Sequence, residues 1–169
     1  MSYTTIYKIG NECEKLGDVD NSWRGAMYVW DQIAKDYFGL DSFPMLDKEE
    51  RSNVWNAEKS KPLSKHEEIV LRSTMDKVVI SKENKEKLVC AFKEYHKEHP
   101  NGSHGEQAEI IEKADLNDTD FIAFQQTSCG DFWGEGDYDE ESGECQYYNP
   151  NTGDKHWELF ADKWAYFQY

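Results

Sequence analysis

A chain of 169 residues has room for one domain with a real core, and 19 Lys/Arg against 34 Asp/Glu leave it with a formal charge of −15. That sign repels nucleic acid and anionic membranes while attracting cations and basic proteins. Apolar runs such as Ile69-Val70-Leu71 and Val78-Val79-Ile80 fall far short of the roughly 20 residues that span a bilayer, and Met1 to Gly10 has no basic stretch leading into an apolar one, so a cytoplasmic protein is expected.

From the N-terminus, Tyr3 to Ile9 alternates like a strand, with Tyr3, Thr5, Tyr7 and Ile9 on one side. Asn11 to Asn21 reads as a polar connection. The apolar set Trp23, Met27, Trp30, Ala34 and Tyr37 recurs at helical spacing, which predicts a helix over 23–38 that stops at Gly39. Asp47 with Glu50, Ser64 with Glu67, and Ser103 with Glu106 have the spacing of capping boxes, each opening a helix. These end near Ala57, Met75 and Ala114. Between the second and third, Val78-Val79-Ile80 is strand-like, and Ser81 opens a helix with Leu88, Val89, Phe92, Tyr95 and His96 along one face. His99-Pro100-Asn101-Gly102 ends it.

After Ala114 the apolar period changes from 3.6 to 2. Phe121 to Thr127, Glu144 to Tyr148 and His156 to Phe160 read as strands, with Asn149 to Asp154 as a hairpin loop between the last two. The expected class is α+β: an N-terminal strand, four to five helices, then a C-terminal antiparallel β-meander. One domain is expected over 1–169, mainly helical over 22–115, with an acidic β-rich part over 119–169.

The charge is unevenly placed. Between Lys113 and Lys155 there is no Lys or Arg but eleven carboxylates, and residues 101–169 hold three Lys/Arg against sixteen Asp/Glu. A disordered acidic tail would lack the Trp, Tyr and Phe found here, so this third is expected to fold. Glu135, Asp137, Asp139 and Glu141 occupy alternate positions. In an extended segment they share one side at a repeat of roughly 6.6 Å. A regular row of negative charge imitates a nucleic-acid backbone for a protein that grips phosphates with Lys and Arg.

Other chemistries fit less well. Asp137-x-Asp139-x-Glu141 opens like a calcium loop, but Ser142 stands where the turn glycine belongs and no Glu closes the loop. His96, His99 and His104 would hold a transition metal only if their rings converged with a fourth ligand; the plainer reading packs His96 on the apolar face and leaves His99 near a helix C-terminus. Cys129 with His156 is a thinner candidate for nucleophile and base. The other cysteines, Cys13, Cys90 and Cys145, lack CxxC spacing, and reduced thiols are expected. Neither GxxxxGK[ST] nor GxGxxG is present.

Gln146-Tyr147-Tyr148-Asn149-Pro150-Asn151-Thr152-Gly153, closing at Trp157, resembles the second hairpin of WW domains, with Trp133 as the upstream tryptophan. The resemblance covers fewer than 30 residues. It implies a groove for Pro-rich peptides lined by Tyr148 and Trp157. The gap from Trp133 to Tyr147 exceeds that family's, and Glu158 follows Trp157 where proline is usual. A cross-strand aromatic pair accounts for the same two residues.

The function expected from the residues is non-enzymatic: an acidic interaction protein, without cofactor or resident metal, that blocks a basic nucleic-acid-binding protein by charge mimicry. Anti-CRISPR and anti-restriction inhibitors share this size and charge. The partner-binding residues would be Trp133, Glu135, Asp137, Tyr138, Asp139, Glu141 and Glu144, the two aromatics anchoring and the carboxylates steering. Neither nucleic acid nor membrane is expected as a direct partner.

Overall fold

A computed structural model describes residues 3–10, 13–74 and 79–125 of the chain. The first strand, β1 (Tyr3–Ile9), pairs with β2 (Cys13–Asp20) as an antiparallel hairpin. Three helices follow: α1 (Ala26–Phe38), α2 (Lys48–Trp55) and α3 (Lys65–Ser73). Then come β3 (Val79–Ser81), α4 (Lys85–Glu98), α5 (His104–Lys113) and β4 (Phe121–Gln125). The strands form one antiparallel sheet in the order β2-β1-β4-β3. The described residues therefore form an α+β arrangement. The expected C-terminal meander lies outside them, apart from β4.

β2 corrects the sequence reading, which took Asn11 to Asn21 as a connection. Of its eight residues only Val19 is buried, so no apolar alternation announces it. Its ladder to β1 carries the strand, along with a bulge between Ile6 and Tyr7 that leaves Leu16 without an opposite number.

Local signals set several helix ends. Asp47 accepts from Glu50 N while the Glu50 carboxylate accepts from Asp47 N, and Ser64 with Glu67 repeats the arrangement. Gly39 ends α1 in the left-handed region, φ 65°, where its N–H reaches the carbonyl of Lys35. The third expected capping box does not form. Ser103 is fully buried, and its hydroxyl donates to Asn21 Oδ1 at 3.3 Å while accepting from Gln107 Nε2 at 2.9 Å; the Glu106 carboxylate pairs with Arg24 instead. A tertiary partner outcompetes the local one.

The helices pack on one face of the sheet. Ile6 lies opposite Phe124, and Ile80 opposite Ile122. All four join one core cluster with Val29 and Ile33 of α1, Leu71 of α3, Leu88 and Phe92 of α4, and Ile111 of α5. Each such fully buried side chain contributes about 1.5–3 kcal/mol. On the other face Tyr7, Ala123 and Val79 line up across β1, β4 and β3 and are also buried. Burial on both faces explains why β4 reads as a nearly continuous apolar run.

Two aromatic clusters flank this core. Trp30, Phe43 and Trp55 meet with ring centroids 5.0–5.6 Å apart, and Trp30 Nε1 donates to Thr74 Oγ1 at 2.8 Å. Phe92, Tyr95, His99 and His104 form the second, where α4 turns into α5. That crossing is close: a Cβ on Gly105 would stand 2.7–3.0 Å from the His96 ring, which would have to shift to admit any side chain there.

Candidate functional site

The residues that sequence reading assigned to partner binding, Trp133, Glu135, Asp137, Tyr138, Asp139, Glu141 and Glu144, lie outside the described residues. So do Tyr148 and Trp157 of the hairpin, and Cys129 and His156. Of the carboxylates between Lys113 and Lys155, three are described, and they do different work. Asp120 is buried, and its Oδ2 accepts from Asn117 N at 2.8 Å and Asn117 Nδ2 at 3.1 Å, closing the turn into β4. Asp118 stands in solvent and pairs with Lys82 at 2.8 Å. The lysine beside it holds its carboxyl below the usual range. Asp115 faces a groove.

That groove, about 920 Å³, runs between α4 and the segment joining α5 to β4, with Val89, Ala114 and Leu116 as its apolar floor. Cys90 presents a free, exposed thiol along it. Four lysines line it, as a helical stripe puts residues three and four apart on one face. Such a row would suit an anion if its charge were open. Lys82 is held by Asp118, Lys93 by both oxygens of Glu112 at 2.8 Å, and Lys97 by Glu94. Lys85 donates to the carbonyl oxygens of Glu112 and Ala114, at the C-terminal end of α5 where the backbone is negative. With Glu83, Glu86 and Asp115 also on its walls, the groove carries no net positive charge. Phosphate recognition is not its chemistry.

His96, His99 and His104 approach one another at the α4–α5 junction. His99 caps α4, its N–H donating to the carbonyl of Tyr95 at 2.8 Å and its ring 4.4 Å from the Tyr95 ring. His104 is almost wholly enclosed between Phe92 and Tyr95. Burial first, and the neighbouring His96 and His99 second, push its pKa down to about 3. Among the described residues no three His, Cys, Asp or Glu side chains converge to hold a metal ion. These rings are packing elements.

One surface feature escaped the sequence reading. Trp23 was assigned to the buried face of α1, yet the helix starts at Ala26 and Trp23 sits in the preceding turn, 67 % exposed, with φ 68°. Tertiary contacts fix the turn on both sides of it. Asn21 donates to Thr4 Oγ1 and accepts from Ser103, and Ser103 N donates to the Arg24 carbonyl at 2.8 Å. The Arg24 guanidinium pairs with Glu106 and reaches the Asn101 carbonyl at 3.4 Å. Starting the helix at Trp23 would tear that buried polar chain apart. Its only trace in the sequence is Asp20-Asn21-Ser22, a run of residues that favours a turn.

No family model matches this chain, and neither a curated protein nor a solved structure is significantly similar to it.

Proposed function

We propose that the protein is a non-enzymatic acidic interaction protein that occupies the phosphate-binding surface of a basic nucleic-acid-binding protein. The observation that carries this reading is the one-signed run of eleven carboxylates between Lys113 and Lys155. The state of the cations supports it. In the described body Lys8, Lys15, Arg24, Lys35, Arg72, Lys82, Lys93 and Lys97 each pair with a carboxylate, so about half of its positive charge is matched where it stands. By sequence, the net negative excess lies late in the chain. Such a field raises association with a basic partner by 10–10³-fold at low salt and leaves nucleic acid itself unbound.

The test uses the full chain immobilised against lysate of its source cells, eluted by a salt gradient, with bound proteins identified by mass. A discrete nucleic-acid-binding protein leaving steeply with salt is expected. Replacing Glu135, Asp137, Asp139, Glu141 and Glu144 by Lys should abolish its capture. Unchanged capture and salt dependence in that variant would overturn the reading.

A further inference from the structure

We infer that the turn carrying Trp23 is a docking point for an arginine side chain on the basic partner, with Trp23 stacking on the guanidinium and Asp20 receiving its charge. The inference deepens the proposed function and rests on it for the basic character of the partner. Three independent observations converge on this turn.

The first is exposure. Trp23, Trp30 and Trp55 are the described tryptophans; the last two are packed against Phe43, whereas Trp23 makes no ring contact or hydrogen bond among the described residues. The second is backbone conformation. A φ of 68° puts Trp23 in the left-handed region, which glycine occupies freely and a bulky residue does not. Glycine would suit the fold better at this position, so a solvent-facing indole there opposes the local backbone preference and calls for an explanation outside the fold. The third is charge. Asp20 spends its carboxylate on Ser22, accepting from its N at 3.0 Å and its Oγ at 2.7 Å, and forms no ion pair among the described residues. Those two hydrogen bonds, and more weakly the charge of Arg24, which is itself paired with Glu106, hold its carboxyl below the ordinary range.

The turn is also tied down on both sides. The Thr4–Asn21–Ser103 chain and the Arg24–Glu106 pair anchor it to β1 and α5, so little order remains to be gained on binding. Indole is the best aromatic face for a cation, and the planar guanidinium stacks on it where an ammonium does not. The expected ligand is therefore arginine rather than lysine.

The probes are two short fluorescein-labelled peptides, one alternating Arg with Gly and one alternating Lys with Gly, titrated into the full-length protein by fluorescence anisotropy. Wild type should prefer the Arg peptide by about two- to fivefold. Trp23→Gly should erase that preference while leaving the melting temperature equal or higher, since glycine relieves the backbone. Trp23→Phe should retain part of the preference, and Asp20→Asn should weaken binding of both peptides. A wild type without preference, a Trp23→Gly variant that keeps it, or one that melts well below wild type would each overturn the inference. The five-carboxylate reversal separates the two claims. It should weaken both peptides alike without touching the Arg preference, so a failed mimicry reading and a failed Trp23 site give different patterns.

Discussion

His104 should make the protein acid-sensitive above the range where carboxylates titrate. Its ring is enclosed by Phe92 and Tyr95 and stays neutral down to about pH 3, whereas in the unfolded chain it takes up a proton near its ordinary value of 6.5. Between those two values the unfolded state binds the extra proton, so a fall in pH favours unfolding. The stabilisation from keeping this ring neutral is complete above pH 6.5 and is lost progressively as pH drops from 6.5 toward 3. At up to 1.36 kcal/mol per pH unit, the loss between pH 7 and pH 5 comes to about 2 kcal/mol. Against a total stability of about 5–15 kcal/mol that is a large share. The paired carboxylates of Asp31, Glu67 and Asp118 also lose stabilisation in acid, but only as they protonate from their ordinary values of 3.8–4.5 downward. Urea unfolding followed by circular dichroism at pH 7 and pH 5 measures the effect, and His104→Gln removes the titration while keeping a polar side chain in place. The variant should be less stable at pH 7, yet lose about 2 kcal/mol less than wild type on going to pH 5. Equal losses in both proteins would refute the reasoning.

Two further expectations separate local from tertiary control of helix ends. Asp47→Ala removes a cap with only local partners and should cost about 1 kcal/mol in thermal unfolding. Ser103→Ala should cost more, about 1–3 kcal/mol, because buried Asn21 and Gln107 would each lose a partner; equal costs would show that Ser103 acts as an ordinary cap. Gly39→Ala, whose added methyl meets no atom within 4 Å, should cost about 1–2 kcal/mol through its φ of 65° alone, read as a fall in urea midpoint at unchanged slope.

What could be read from the sequence was whatever short-range chemistry decides. The capping boxes at Asp47 and Ser64, the glycine stop at Gly39 and the apolar face of α4 each rest on residues within one or two turns of each other, and each is present in the fold. What escaped depended on distant partners. β2 lacks an apolar pattern because its pairing with β1, not its own burial, makes it a strand. Ser103 and Glu106 have capping-box spacing, but Asn21 and Arg24, some 80 residues earlier, claim their side chains. Trp23 shows the same failure at a functional candidate: its spacing to Met27 and Trp30 is helical, and nothing local reveals that Asn21 is tied into α5. The acidic row legible from Glu135 to Glu144 lies outside the described residues, so the body contributes its charge balance to that reading and no geometry.

The two candidate surfaces are complementary because charge and anchoring govern different stages of association. A field spread over many carboxylates acts at long range and draws in any basic protein, so by itself it discriminates poorly among them. Discrimination requires a short-range contact whose geometry a wrong partner cannot satisfy. Trp23 has the attributes of such a contact: a large aromatic face, held by a turn bonded to β1 and α5, three residues from a carboxylate that forms no ion pair among the described residues. The α4 groove has the opposite character, since each of its lysines is already engaged and a ligand there would have to displace an ion pair or a carbonyl contact before gaining anything. Exposure alone would rank the groove, with its open cysteine and larger area, above a single tryptophan. The cost of opening those contacts reverses that order and places the recognition element in the turn between β2 and α1.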